Sequence, residues 1–236
     1  MRVLQRIGLG LPIQRWAAGL GVVLVLLALI GWARSTSDNS RHPALSATSK
    51  QTLALLATLP TKGRAPKSGY SRAQFGQAWT DNVSVTDGHN GCDTRNDVLK
   101  RDLADVTFRR RSDCVVATGT LQDVYTGTTI HFVRGSGTSA AVQIDHMVAL
   151  SDAWQTGAQL LTRAQRTNLA NDPLNLQAVD GPTNEAKGDA DAATWLPPNK
   201  AYRCTYVTRQ VEVKAKYHLW VTPAERDAIA RVLANC

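Results

Sequence analysis

An Asp-His pair closes an apolar run at Gln143-Ile144-Asp145-His146-Met147-Val148-Ala149-Leu150. About thirty residues on, the stretch from Asn175 to Asp189 carries Asn175, Asn184 and Lys187 across a strand–turn–helix pattern. These side chains are the ones that metal-assisted hydrolysis of a phosphodiester requires. A phosphodiester is an anion and repels a nucleophile. A divalent cation on the phosphate relieves that repulsion while a neutral histidine deprotonates a water. Mg²⁺ or Mn²⁺ is the expected cation, and such hard ions take oxygen ligands. Asp145 offers a carboxylate and Asn184 an amide carbonyl. On an extended segment, His146 points away from Asp145, which makes it the base rather than a co-ligand. A histidine base needs its second ring nitrogen held, and Asn175 is the candidate. Lys187 follows Asn184 by three residues, on the same helix face, where an ammonium could steady a phosphate or the leaving oxygen.

Asp-His, then Asn, then Asn nine residues later with Lys three beyond it resembles the motif of HNH (ββα-metal) endonucleases. Asp145-His146-Met147-Val148-Ala149-Leu150, Asn184-Glu185-Ala186-Lys187-Gly188-Asp189 and Trp195-Leu196-Pro197-Pro198 are similar to a secreted or membrane-anchored HNH group. That group is related to the C-terminal domain of GmrSD-type modification-dependent restriction enzymes. The resemblance runs from about Tyr70 to Cys236, some 70% of the chain. It implies His146 as general base, Asp145 and Asn184 as metal ligands, and Asn175 as the residue orienting His146. The implied fold is α+β, a ββα-metal (His-Me finger) core with an added β-hairpin and flanking helices. The implied substrate is DNA, with RNA as a second candidate; no protein partner is expected. Two features depart from many HNH nucleases. No cysteine pairs flank the motif, and Glu185 stands where many relatives carry a basic or neutral residue.

The elements that position these residues can be read in order. Arg2, Arg6 and Arg15 precede an apolar run from Ala17 to Ala33, so residues 1–34 read as a signal peptide or, uncleaved, a signal anchor held in the membrane. Residues 35–69 read as a basic flexible linker with a short helix from Ser49 to Leu59. Residues 70–236 form the expected nuclease domain, secreted or anchored with this part outside the cytoplasm. The chain has 236 residues and a formal net charge of +8, but residues 70–236 hold 18 Lys/Arg and 18 Asp/Glu. The basicity lies in the leader and linker and says little about a nucleic-acid groove.

Four cysteines, none in a C-x-x-C pair, argue for two disulfides in an exported chain. Three connectivities are possible. Cys92–Cys114 and Cys204–Cys236 are favoured, because each closes a modest loop flanking the site, worth roughly 3 kcal/mol in the chain-entropy picture. Thr94-Arg95 opens a helical pattern through Val98, Leu99 and Leu103. Cys114–Leu121 and Thr128–Gly135 read as a hairpin, Val142–Val148 and Leu174–Val179 as the motif strands, and Ser151–Leu169 as a helix between them. Arg95 and Arg109 are candidate phosphate contacts, since a guanidinium forks onto phosphate oxygens; an Arg95 that buttresses the site loop is the equal alternative. Tyr70, Phe75 and Trp79 read as core anchors. A disulfide-stapled binding module without catalysis, and a hydrolase of another phosphodiester, are the competing functional readings.

Overall fold

The computed structural model describes residues 45–236. The expected targeting segment 1–34 and the start of the linker lie outside them. Among the described residues no helix is long and apolar enough to cross a membrane.

The described chain opens with α1 (Ala47–Thr58), capped by Ser46, whose side chain accepts from Ser49 N–H. The expectation of a flexible linker over 35–69 is corrected for its described part. Leu56 and Leu59 are buried against Val207, Val211, Val221 and Ile229. Val221 N–H then donates to Pro60 O, and Lys62 N–H to Val221 O. Beyond this, Arg64 pairs with Asp152 and Asp191, and Lys67 with Asp189. The leucines bury an apolar strip, and the basic residues read as solvated have carboxylate partners far along the chain.

α2 (Thr94–Asp102) is capped by Asp93 and stops at Asp102. The helical pattern expected through Leu103 gives way to β1 (Leu103–Phe108), which pairs with β2 (Val116–Gln122) and β2 with β3 (Thr129–Val133). The expected two-stranded hairpin is therefore a three-stranded antiparallel sheet.

The second sheet is the antiparallel pair β4 (Val142–His146) and β5 (Leu176–Asp180), in register from Val142 opposite Asp180 to His146 opposite Leu176. α5 (Gly181–Lys187) follows β5 directly. Asp180 caps it, not Thr183: the Asp180 carboxylate accepts from Thr183 N–H, and Gly188 at φ 56° closes it. Alternation along β4 sends Val142 and Ile144 into a core shared with Val98, Leu99, Phe132 and Leu176, and turns Gln143 and Asp145 toward the opposite side.

Between β4 and β5 the expected single helix is two, α3 (Leu150–Gln155) and α4 (Arg163–Asn171). Gly157, at φ 130°, breaks them; a β-carbon there would also press on Trp220 and Leu219. Thr162 and Gln165 restart the chain with a capping box. α6 (Arg203–Lys216) braces β5 through Arg209, whose guanidinium donates to the carbonyls of Pro173, Leu174 and Leu176. α7 (Pro223–Leu233) begins with the expected Thr222 cap and Glu225 capping box. The disulfides are Cys92–Cys114 and Cys204–Cys236, the favoured connectivity.

Candidate active site

Asp145 stands near the end of β4 and is buried. Its Oδ2 accepts from the Tyr125 hydroxyl and, at 2.6 Å, from the Lys187 ammonium. Lys187 also donates to His146 O at 2.6 Å. The expectation that Lys187 reaches a phosphate is thereby corrected. Its side chain is fully buried, running inward from the last turn of α5 to fix the β4 end and balance the Asp145 charge. Burial, and then the Asp145 charge, hold the Tyr125 hydroxyl well above its usual range, so it stays a donor. Among the described residues no donor reaches Asp145 Oδ1, and Asp145 lines a cleft of about 350 Å³.

His146, next in the strand, is buried as well. Its Nε2 lies 3.0 Å from Ala170 O at the end of α4. A carbonyl only accepts, so Nε2 carries the proton and Nδ1 is left as the acceptor. Burial lowers the imidazole pKa to about 4, against smaller opposing contributions from the Ala170 bond and Asp145. The ring is therefore neutral at physiological pH. It stacks on Trp79, with centroids 6.0 Å apart and planes at 14°.

Asn175 does not orient His146 directly, contrary to expectation. Its Oδ1 accepts from Val148 N–H at 2.9 Å, and its Nδ2 donates to Leu169 O at 3.1 Å. Asn175 O also accepts from Met147 N–H at 2.7 Å. The amide thus clamps the segment after His146 to the turn of α4 that presents Ala170. Asn175 shapes the site through the backbone, and the Ala170 carbonyl performs the role expected of its side chain.

Asn184 lies on α5 beside the same cleft as Asp145 and His146. Its Nδ2 donates to Gln143 Oε1, and Gln143 Nε2 donates in turn to Glu185 Oε1, both at 2.8 Å. This relay aims the amide and occupies Glu185. Asn184 Oδ1, like Asp145 Oδ1, is claimed by no donor among the described residues. Two unclaimed hard oxygens on one cleft fit a Mg²⁺-like cation, which keeps most of its waters and asks few ligands of a protein. They do not form a closed protein cage: no group of three His, Cys, Asp or Glu among the described residues could hold a metal.

The cleft has a basic rim. Lys67 and Arg72 line it. Lys67 is paired with Asp189 at 2.8 Å. That bond, with one from Ser151, holds the Asp189 carboxyl below its usual range. Arg72 makes no ion pair among the described residues and is the free cation beside Asp145, His146 and Asn184. Neither Arg72 nor Trp79 was singled out from sequence, because the Tyr70–Trp79 stretch reads as a set of core aromatics. Of the two arginines that were singled out, Arg95 donates to Ser139 O and Val142 O. It buttresses the approach to β4 and does not line the cleft. Arg109 is exposed after β1, at the turn into β2, also away from the cleft.

A family model described as GmrSD restriction endonucleases, C-terminal domain, matches residues 93–232. A chain named "Uncharacterized secreted protein" from Arthroderma benhamiae is 38% identical over 185 residues, covering 77% of this chain and 83% of that one. No solved structure matches.

Proposed function

The chain belongs to the family of GmrSD restriction endonuclease C-terminal domains, and from that membership together with the cleft we propose that it is an exported, metal-dependent endonuclease hydrolysing phosphodiester bonds of DNA, and of RNA where offered. The observation that carries this reading is the meeting of Asp145, His146 and Asn184 on one cleft, with His146 neutral and its Nε2 already committed to Ala170 O. The run of β4, β5 and α5 supports reading these elements as the ββα-metal core.

Asp145 Oδ1 and Asn184 Oδ1 would hold a divalent cation, Mg²⁺ or Mn²⁺, which supplies neutralisation of charge on the phosphate. Arg72 binds the substrate phosphate from the rim and offsets the second negative charge that develops in the transition state. His146 Nδ1 accepts a proton from the attacking water as the water oxygen bonds to phosphorus and the bond to the leaving sugar oxygen breaks. Ala170 O keeps the imidazole plane fixed during the transfer, since the Nε2–H it holds is present before and after. Lys187 and Tyr125 hold Asp145 in place, and Asn175 holds the β4 end against α4. Trp79 covers one face of the imidazole and limits its contact with bulk water.

An extracytoplasmic location is supported by the two disulfides and by the secreted relative. The test is digestion of plasmid DNA and of RNA by the full-length protein in Mg²⁺ or Mn²⁺, with EDTA as control and His146→Ala beside the wild type. Metal-dependent cleavage lost in His146→Ala is the expected result. Binding of nucleic acid without cleavage under any of several divalent cations would favour a non-catalytic module.

A further inference from the structure

A second cavity, about 270 Å³, opens on the other side of His146. It shares His146 and Arg72 with the first and is otherwise walled by Phe75, Trp79, Leu150, Ala170 and Asn171. Its volume falls just below the ~300–1,000 Å³ of drug-sized sites, the class of a single planar ring system. Trp79 lies nearly parallel to the imidazole and is only partly buried. It holds φ 58°, a left-handed conformation that a bulky residue adopts at an energetic cost and that clusters at functional sites. Its carbonyl accepts from Thr94 N–H at 3.2 Å, which fixes the residue to the start of α2. The indole N–H has no acceptor among the described residues. Asn171 is 2% exposed and donates from Nδ2 to Thr167 O, while its buried Oδ1 has no donor. An aromatic wall, one free donor and one free acceptor, set beside a phosphate-binding arginine, match a planar heteroaromatic ring linked to a phosphate.

We infer that this cavity holds the nucleobase next to the scissile phosphate, against Trp79 and Asn171, and that the preferred substrate is therefore single-stranded nucleic acid. The inference rests on the nuclease reading for its substrate. A base in this cavity must leave its helical stack, which costs little in a single strand and more in a duplex. Stacking on an aromatic side chain tolerates any base, so the cavity gives strand preference with little sequence selectivity. The Arg72 guanidinium, at the junction of the two cavities, holds the phosphate that joins base and cleft.

The test uses the full-length protein and three fluorescein-labelled probes of equal length: a single strand, its duplex, and a strand with tetrahydrofuran abasic sites throughout. Binding is read by anisotropy in EDTA and in Ca²⁺, and cleavage in Mg²⁺ or Mn²⁺. The single strand should bind about tenfold tighter than both the abasic strand and the duplex. Trp79→Ala should collapse that ratio to within twofold, and Trp79→Phe should keep part of it. Because the readout is a ratio within one variant, loss of rate through a displaced His146 does not affect it. Circular dichroism establishes that each variant is folded, and Asn171→Leu serves as a second variant if Trp79→Ala is not. Equal binding of the three probes by the wild type, or an unchanged ratio in Trp79→Ala, overturns the inference. Cleavage without base discrimination leaves the nuclease reading standing and removes this one. Base-dependent binding without cleavage does the reverse.

Discussion

His146 Nε2 and Ala170 O lie 3.0 Å apart, so the tip of the motif strand and the end of α4 jointly fix the imidazole. The same burial that permits this bond lowers the ring pKa from 6.5 to about 4. The folded protein therefore binds fewer protons than the unfolded chain between these values. The stabilisation is fully present above pH 6.5 and is lost as pH falls toward 4, by about 3 kcal/mol in all. Urea denaturation across that range should show the loss, and His146→Gln should flatten it. An identical slope in the variant would show that other groups govern the acid limb.

Lys187 and Asp145 form a buried ion pair at 2.6 Å. Lys187→Met keeps the side-chain length but strands a buried carboxylate. It should lower unfolding stability by about 3–5 kcal/mol, measurable by denaturant titration. The double variant Lys187→Met with Asp145→Asn should recover part of that loss. A double variant no more stable than the single one contradicts the pairing.

Arg72 and Arg95 separate substrate binding from scaffold. Arg72→Ala should raise KM for an oligonucleotide about tenfold, the effect of one charge-assisted contact, and leave the thermal melt nearly unchanged. Arg95→Ala, which strips donors from Ser139 O and Val142 O, should lower stability by about 1–3 kcal/mol with little change in KM. An exchange of these outcomes would assign the phosphate contact to Arg95.

The Cys204–Cys236 bridge joins the first turn of α6 to the chain end, and α6 carries the Arg209 that braces β5. Replacing both cysteines by serine should cost about 2–4 kcal/mol. Limited proteolysis should then cut the α7 end first. Unaltered stability under dithiothreitol would argue against any such contribution.

The motif strands, α5, the capping box at Thr222 and the cysteine connectivity were legible because each rests on local chemistry: alternation, a cap, a proline at the first helical position, a short loop. The pairing of residues thirty or more positions apart was not. Lys187 three residues after Asn184 reads as a neighbour on a helix face, yet it turns inward, because buried Asp145 needs a counter-charge more than the surface needs a lysine. Asn175 reads as a partner of His146, but a backbone carbonyl, which has no sequence signature, takes that place. Trp79 reads as core because nothing local marks a residue with positive φ when it is not glycine. Arg64 and Lys67 read as a solvated tether because their carboxylates, Asp152, Asp191 and Asp189, lie far along the chain.

Residues 61–72 connect α1 to the rest of the unit and also supply Lys67, Tyr70 and Arg72 to the cleft wall. An extracellular protease that clips this stretch would not merely free the enzyme from whatever lies ahead of it; it would dismantle one bank of the reaction site. Shedding that preserves activity has to occur upstream of Leu45, so the position of a maturation cut decides between release and inactivation.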